Sequence, residues 1–471
     1  MKRSLKVLGA GLAIGSMMLA GCAQPNSPTT TPPTTPATSS APTTSAPPPG
    51  GAFAGTPSGA ITAWAFNNAD DVGQARLVYA QSVLPGVTIT MDATGFDAQK
   101  MTTLIAGGTM PDVIQMDRMY VAGYAAQDLL MPLDDCYTAL GMDPTKMYYP
   151  NVLADVTYDG KVYAVPQFFQ PAAIIVNNRV AKEAKVDPKA WDTSNLDSLL
   201  TAIRATYKAD AKGNPIRLGF DPQAHSNAMM WILLRGGKLM DATGKPALDD
   251  PANVGVLEWV KQLYDAQGGY AKVKSFSDTF DFFGDKNQYV TDQVAAEMNW
   301  QWYPNVLAGT MDKVDLYTVP LKDANGNAFA AATGTSFVIP KAAKNPVAAC
   351  AWAVNTTTNE AWNAAAIARQ ATRVAKGQPN TGLMTGNPTA DQAIKATYVK
   401  SLGNAGFDQT IAAFYDVLTH GTSYGSSPAA QSIQNEISNA MISYLNGDKD
   451  AATALKDAQA AALQAYNDIV G

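Results

Sequence analysis

The run AITAWAF at residues 60–66 begins the stretch that decides the fold, and four segments follow it: DDVGQARLVYAQSVLP (70–85), GVTITMDAT (86–94), DAQKMTTLIAGG (97–108) and PDVIQMD (111–117). Residues 86–94 alternate apolar and polar side chains, as a half-buried strand does. Residues 70–85 and 97–108 have apolar residues at helical spacing, and the second of these segments ends in two glycines, which is typical of a helix C-terminus. The order strand–helix–strand–helix–strand predicts a parallel sheet with crossover helices, and therefore an α/β fold.

The length of the chain predicts more than one lobe. Roughly 410 residues follow residue 59, whereas a single hydrophobic core stops growing near about 250–300 residues. Further strand-like runs, such as DGKVYAVPQFFQPAAIIVNNRV at 159–180, precede a mostly helical, alanine-rich region that begins near residue 345. We therefore expect two lobes, each a sheet flanked by helices, and a helical C-terminal region.

The N-terminus has the features of an export signal. Basic residues precede an apolar run at 7–20, which is shorter than the roughly 20 residues that span a bilayer. The run ends in Leu-Ala-Gly-Cys (19–22), which resembles the lipobox of bacterial lipoproteins. This resemblance implies cleavage of a signal peptide at 1–21 and lipid on the sulfur of Cys22. The alternative is an ordinary signal peptide with an incidental cysteine.

Residues 22–59 differ in composition from the rest of the chain. They consist mainly of Pro, Thr, Ser, Ala and Gly, carry no charge and include one aromatic residue, Phe53. Such a segment buries too little apolar surface to offset its ordering entropy, and proline keeps it extended. It predicts a linker between the lipid anchor and the globular body.

Charge and motifs exclude several functions. The net charge of −6 predicts no basic surface for nucleic acid. The chain has two histidines and lacks the motifs of serine hydrolases, zinc peptidases and P-loop proteins. A glycosidase needs only two carboxylates, so that alternative stays open, although we interpret the acidic pairs at 134–135 and 249–250 as solvated loop charges. We therefore predict no enzyme, no metal and no cofactor.

Two cysteines follow Cys22. Cys136 and Cys350 could form a disulfide in an oxidising compartment, but each lies in an apolar context where a buried free thiol is equally natural. We predict two free thiols.

Several segments resemble, in content and in order, motifs of the extracellular solute-binding proteins of ABC importers, in particular the maltose-binding-protein type: AGGTMPDVIQMD (106–117), GKVYAVPQFFQPAAIIVNN (160–178), RGGKLMD (235–241), DQVAAEMNWQWYP (292–304) and TGTSFVIPKAAKNPVAACAWAV (333–354). The chain departs from the family pattern at 176–178, where Val-Asn-Asn replaces Tyr-Asn-Lys. Each motif is weak alone, but together they cover the whole body.

The resemblance implies a two-lobe periplasmic-binding-protein-like fold with three hinge crossings, closing on a ligand in the cleft between the lobes. The crossings are expected near residues 166–171, 296–303 and 331–339. The corresponding division is 60–168 plus 300–335 for lobe 1 and 169–299 plus 336–471 for lobe 2.

Candidate ligand-binding residues lie at strand ends and at the expected crossings. Ligands of parallel sheets bind beyond the carboxyl ends of strands, which favours Trp64, Asn67 and Asp117. Phe168 and Phe169 lie between two prolines at the first crossing, beside Gln170. The alternatives are that Trp64 belongs to the core and that Asp117 forms a local ion pair with Arg118.

The second half of the chain supplies further candidates. His225 and Asn227 precede an apolar helix beginning at residue 228, although Asn227 or Ser226 could simply cap it. Trp300 and Trp302 share one side of an extended segment, with one of them in the hinge core as the alternative. Thr335 and Ser336 begin the last crossing, where an ordinary turn is the alternative.

These residues indicate carbohydrate binding. Aromatic faces pack on sugar C–H surfaces, and planar polar groups bind hydroxyls. The absence of clustered Arg and Lys disfavours polyanions. The sequence therefore predicts a lipid-anchored, monomeric receptor outside the cytoplasm that binds a neutral mono- or oligosaccharide and delivers it to ABC permease subunits. The alternatives are a secreted carbohydrate-active hydrolase and a receptor for another neutral solute, such as an osmolyte or a peptide.

Overall fold

The computed structural model describes residues 51–66, 69–331 and 334–471. The predicted signal peptide, Cys22, most of the linker and Asn67 lie outside the described residues. The end of the predicted linker differs from expectation, because Phe53 is buried in the body. A lone aromatic side chain gains more by packing on the helices Asp134–Ala139 and Pro346–Asn355 than by remaining in solvent.

The strands of the described residues form two main sheets and three short ladders, and their bounds are β1 Gly59–Trp64, β2 Val87–Asp92, β3 Val113–Asp117, β4 Thr157–Tyr158, β5 Lys161–Val162, β6 Ala164–Pro166, β7 Ala172–Asn177, β8 Lys208–Ala209, β9 Pro215–Arg217, β10 Ala296–Trp300, β11 Leu316–Pro320, β12 Ala330–Ala331, β13 Thr335–Val338 and β14 Gly421–Thr422.

The helices flank these sheets and dominate the C-terminal region, with bounds α1 Asp71–Val83, α2 Ala98–Gly107, α3 Val121–Ala126, α4 Asp134–Ala139, α5 Pro144–Met147, α6 Pro150–Ala154, α7 Asn178–Ala184, α8 Leu196–Thr206, α9 Ala228–Leu234, α10 Pro251–Asp265, α11 Tyr270–Ser277, α12 Tyr303–Leu307, α13 Pro346–Asn355, α14 Asn359–Ala375, α15 Pro388–Tyr398, α16 Ala405–Val417, α17 Ala430–Asn446 and α18 Ala451–Val470. Within the described ranges, no helix is both long enough and apolar enough to cross a bilayer.

The first sheet has the strand order β2-β1-β3-β13-β6. β1 pairs in parallel with β2 and β3, so the predicted strand–helix–strand–helix–strand unit is confirmed. α1 begins after Asp70, whose side chain accepts the Gly73 N–H, and α2 ends at Gly108 in the left-handed conformation. β13 returns antiparallel to β3 and β6.

The second sheet is antiparallel, with the order β10-β7-β11. Every residue of the central strand β7 is buried, which agrees with the apolar run at 172–176 and includes the polar Asn177 at its end. α16 packs against β11, and α8, α9, α10, α17 and α18 complete the second core. The first core contains side chains from β1, β3, β6, β13, α4 and α13.

The two sheets divide the chain differently from the predicted boundaries. The chain passes from the first sheet to the second between β6 and β7 and returns between β12 and β13, as expected. The segment 296–303 does not cross, because β10 and β11 both pair with β7. The next passage lies between α15 and α16, because α13 packs in the first core, α14 packs on α1 and α15 on α14, whereas α16 packs on β11. Residues 300–320 stay with the second core, because β10 and β11 both pair with β7. Residues 335–355 stay with the first core, because β13 pairs with β3 and β6 and α13 packs beside them. These pairings join segments far apart in sequence, so the local sequence pattern does not reveal them.

The prediction of two free thiols is wrong. Cys136 on α4 and Cys350 on α13 form a disulfide, with Cα atoms 5.8 Å apart and a sequence separation of 214. Both cysteines are buried in the first core. The packing of α4 against α13 brings them together, and neither segment reveals this packing by its own composition.

Candidate ligand-binding cleft

A cavity of about 290 Å³ lies where the two cores meet. Segments from both sheets and from the C-terminal region line it: the end of β3, the passage from β6 to β7, the start of α9, the end of β10, the start of β13, and α17. The lining residues are Asp117, Arg118, Met119, Asp155, Gln170, Ser226, Asn227, Ala228, Met229, Met230, Trp300, Trp302, Gly334, Tyr424, Gln434 and Ser438. Tyr120 donates a hydrogen bond across the cleft to Gln434 Oε1 at 3.2 Å.

Arg118 is held at the cavity wall by contacts with separate chain segments. Its side chain is 1% exposed. Its Nε donates to Asp155 Oδ2 at 3.3 Å, and its Nη1 donates to the carbonyl oxygen of Phe168. The Asp155 carboxylate also accepts from the Ser423 hydroxyl. The Nη2 atom of Arg118 is buried and has no hydrogen-bond partner among the described residues.

The two carboxyl groups of the cavity differ in their environment. Burial raises the pKa of Asp155 to about 6, although the charge of Arg118 opposes this rise. Asp117 is reached by solvent, yet it lies inside the cleft, and desolvation by the surrounding protein raises its pKa against the opposing charge of Arg118. Within the described ranges no group donates a hydrogen bond to the Asp117 side chain, which leaves its oxygens free to accept from ligand hydroxyls.

Gly334 permits a close approach of three segments. Its carbonyl oxygen accepts from the Arg118 N–H at 3.1 Å. A Cβ atom at this position would lie 2.2 Å from the carbonyl oxygen of Phe168, and φ is 142°, so only glycine fits.

A buried polar network supports β10, the strand that carries the aromatic end of the site. Glu297 is 1% exposed. Its Oε2 accepts from Gln288 Nε2 at 2.7 Å and from Asn299 Nδ2 at 2.8 Å, and its Oε1 accepts from Gln223 Nε2 at 3.0 Å. Burial, with a further contribution from the charge of Asp221, raises the pKa of Glu297 to about 8.

This environment predicts a stability that falls with rising pH. The pKa of Glu297 is about 8 in the folded state against 4.5 for the free side chain, so the folded state binds the proton more tightly. Its contribution is fully present below about pH 4.5 and is lost as the pH rises through about 8. We expect the free energy of unfolding to fall between pH 5 and 8, and burial of Asp155 and Asp391, which raises their pKa values to about 6 and about 7, contributes to the same fall. Glu297→Gln should reduce this fall without abolishing it.

The measurement is chemical denaturation of both proteins at the two pH values. Glu297→Gln removes the titration with little other change, because glutamine resembles the protonated glutamic acid in size and hydrogen-bonding groups. A variant with the same pH dependence as the wild type would contradict the assignment.

The predicted site residues divide into three groups. Asp117, Asn227, Trp300 and Trp302 line the cavity together. Trp64, Phe168, Phe169, His225 and Ser336 do not line it, and Thr335 lies beside it. Asn67 lies outside the described residues.

The aromatic candidates of the first half pack in the protein interior. Trp64 stacks on Phe96 with ring centroids 5.3 Å apart, as its alternative interpretation predicted. Phe168 packs edge-to-face on Trp362 at 5.2 Å, and Phe169 is buried in the second core. The Phe–Phe pair therefore contributes to the cores around the first crossing, whereas Gln170 beside it lines the cavity.

The remaining candidates contact protein groups. His225 packs edge-to-face on Tyr270, at 5.9 Å between ring centroids. Buried Ser336 donates to the carbonyl oxygen of Met116 at 3.4 Å. Thr335 accepts from a glutamine side chain and lines an adjacent cavity of about 410 Å³ that also includes Asp117.

Sequence reasoning missed the contribution of the C-terminal region. Tyr424, Gln434 and Ser438 line the cavity more than 300 residues after Asp117. Gln434 and Ser438 lie on α17, whose sequence shows only helical periodicity, and Tyr424 lies in the loop before it. Met229 and Met230 were equally hidden, because an apolar helix start reads as core.

The comparisons with known proteins agree with this architecture. Residues 77–363 match the family of bacterial extracellular solute-binding proteins. Among solved structures, the chain is similar to the mannobiose-bound protein CpMnBP1, with a TM-score of 0.68 and 20% identity over 86% of this chain and 99% of that one. It is also similar to a solute-binding protein of an ABC transporter from Thermotoga lettingae bound with α-D-tagatose, with a TM-score of 0.65 and 20% identity over 88% and 100% of the two chains.

A third similar structure is the GacH receptor of Streptomyces glaucescens, solved unliganded and with acarbose. Its TM-score is 0.64, with 18% identity over 87% of this chain and 99% of that one. These likenesses confirm the two-lobe α/β fold, and the family match covers more than half of the chain. The chain therefore belongs to the family of bacterial extracellular solute-binding proteins.

Proposed function

We propose that the protein is the receptor of an ABC importer, that it binds a neutral carbohydrate in the cleft and that it delivers this ligand to the membrane permease. One observation carries the proposal: Trp300 and Trp302 line the cavity opposite amide, hydroxyl and carboxyl groups. Aromatic rings provide an apolar face for sugar C–H groups, while the polar groups fix the hydroxyls.

The charges of the cavity favour a neutral ligand over an anion. Arg118 is the only basic residue among the described lining residues, and Asp155 already pairs with it. Asp117 adds a further negative charge when ionised. Recognition of phosphate or of several carboxylates requires unpaired basic groups, so a polyol is the better fit.

Truncation of one aromatic face tests the role of the cleft. Trp300→Ala should weaken carbohydrate binding about 10–100-fold, because it removes the contact surface of one stacked sugar ring, on the order of 1.4–2.7 kcal/mol. Titration calorimetry measures the loss. Tyr398→Ala is the control, since this half-buried tyrosine on α15 does not line the cleft. Unchanged affinity in Trp300→Ala would place the ligand elsewhere.

The ligand class is tested by thermal unfolding of the body, residues 51–471, in the presence of monosaccharides, oligosaccharides, osmolytes, amino acids and polyamines. A ligand at 100 times its dissociation constant adds about 2.7 kcal/mol of stability. We expect shifts confined to carbohydrates, without product formation. Shifts only with amines or peptides would overturn the carbohydrate assignment and leave the fold intact.

The hydrolase alternative is disfavoured by the state of the carboxylates. Among the described residues of the cavity, the carboxyl groups are Asp117 and Asp155. Asp155 is engaged by Arg118 and Ser423, so it does not face Asp117 as a free acid or base. Release of products from an oligosaccharide would reverse this conclusion.

The proposal includes a location and partners. The family acts outside the cytoplasm, and we propose that lipid on Cys22 and the Pro/Thr/Ser-rich linker hold the monomeric body at the membrane surface. The permease subunits of the importer are the proposed protein partner. A ligand drives closure of the lobes only through its greater affinity for the closed state.

A further inference from the structure

An exposed aromatic side chain lies directly beside the cleft. The segment TFDFFGDK at 279–286 connects α11 to β10. Its Phe283 is 73% exposed, the highest value among the large apolar side chains that the structure describes as exposed. Single exposed apolar side chains are ordinary on protein surfaces, so this ring is informative because of where it lies and not because it is exposed.

The segment that presents this ring is held firmly. The ring of Phe282 stacks on Tyr303 with centroids 4.2 Å apart. The Tyr303 hydroxyl donates to the carbonyl oxygen of Phe282 at 3.0 Å and accepts from Gln288 Nε2 at 2.9 Å. The residue next to Phe283 is therefore fixed to the polar network beneath β10.

Phe283 continues the aromatic surface of the cavity. Its ring lies 12° from parallel to the ring of Trp302, with centroids 6.1 Å apart. Trp302 lines the cavity, whereas Phe283 lies outside it. The cavity, at about 290 Å³, is at the lower end of small-molecule sites, which range over about 300–1,000 Å³. A ligand longer than one or two sugar rings therefore extends beyond this cavity, and Phe283 lies at the rim beside Trp302.

We propose that Phe283 is an outer carbohydrate-stacking residue that gives the receptor its preference for oligosaccharides over monosaccharides. The ring that leaves the cavity packs its C–H face on Phe283, while the inner ring contacts Trp300 and Trp302. This inference rests on the proposed carbohydrate function and adds the length of the ligand to it.

The test is titration calorimetry with two homologous series, mannose, mannobiose and mannotriose, and glucose, maltose and maltotriose. We expect the wild type to bind one series with affinity that rises at least tenfold from the monosaccharide to the longer sugars. Phe283→Ala should weaken binding of the longer sugars about 5–10-fold and change monosaccharide binding less than twofold. Phe283→Tyr should retain the preference, because it keeps the ring.

Leu402→Ala is the control, since it removes another large, exposed apolar side chain that does not line the cleft. An equal loss for all lengths, or no loss for any, overturns the role of Phe283 while the carbohydrate function stands. A wild type that binds none of the six sugars overturns this inference, and a shift with a different solute class in the thermal screen then shows that the carbohydrate function itself has failed.

Discussion

Removal of the disulfide between Cys136 and Cys350 is expected to lower the free energy of unfolding by about 4–5 kcal/mol, the largest single effect on stability that we predict. The bond closes a loop of 214 residues, so it removes much of the entropy of the unfolded chain. The variant is Cys136→Ala with Cys350→Ala, because alanine avoids burying two new hydroxyl groups in the first core. Chemical denaturation at equilibrium measures the difference.

Reduction of the wild-type protein provides the control for this experiment. Because both cysteines are buried, the protein must be reduced while unfolded and then refolded in the presence of reductant. The reduced wild type should resemble the double alanine variant, and the variant itself should not respond to reductant. A wild type whose denaturation midpoint is the same in both redox states would show that the bond does not form.

Replacement of Asp155 by alanine is expected to cost about 3–5 kcal/mol of stability, the second largest effect. Asp155 is the carboxylate partner of Arg118, and both side chains are buried. Without it, the guanidinium keeps its charge in a desolvated position, with a carbonyl oxygen of Phe168 as its remaining hydrogen-bond acceptor. Carbohydrate affinity should fall as well, since Arg118 lines the cavity.

A double variant separates charge from packing. Arg118→Met with Asp155→Ala removes the unpaired charge together with its partner, so it should recover part of the stability lost in Asp155→Ala. Its ligand binding should stay weak, because the guanidinium that lines the cavity is gone. If Asp155→Ala costs less than about 1 kcal/mol, or if the double variant is no more stable than the single one, the ion pair does not have the assigned role.

Local sequence patterns predicted the first sheet well. The alternation at 86–94 became β2, the buried run at 111–117 became β3, and the acidic residue and the glycine at the helix ends act as caps. These features depend on neighbours within a few residues, and the same is true of the apolar run that became β7. The family resemblance rests on the same segments, which explains why it held across the body.

The site was predicted less completely. Trp300 and Trp302 were recognised because aromatic and polar residues alternate there, and Asp117 because it ends a strand. Trp64 also ends a strand, but its ring packs on Phe96 in the first core. Residue type and position in a strand are equal in these cases, so only the packing of the neighbouring helix distinguishes a core tryptophan from one in the cleft.

The sequence by itself determined the α/β class, the alternation of strands and helices and the membership of the solute-binding family, because periodicity and caps are local properties of the chain. Only the tertiary structure decided the disulfide, the placement of 300–320 with the second core, and the contribution of Tyr424 and Gln434 to the cleft. Apolar burial is non-directional and favours any suitable surface. Which distant surfaces meet is therefore decided by the packing of the whole chain.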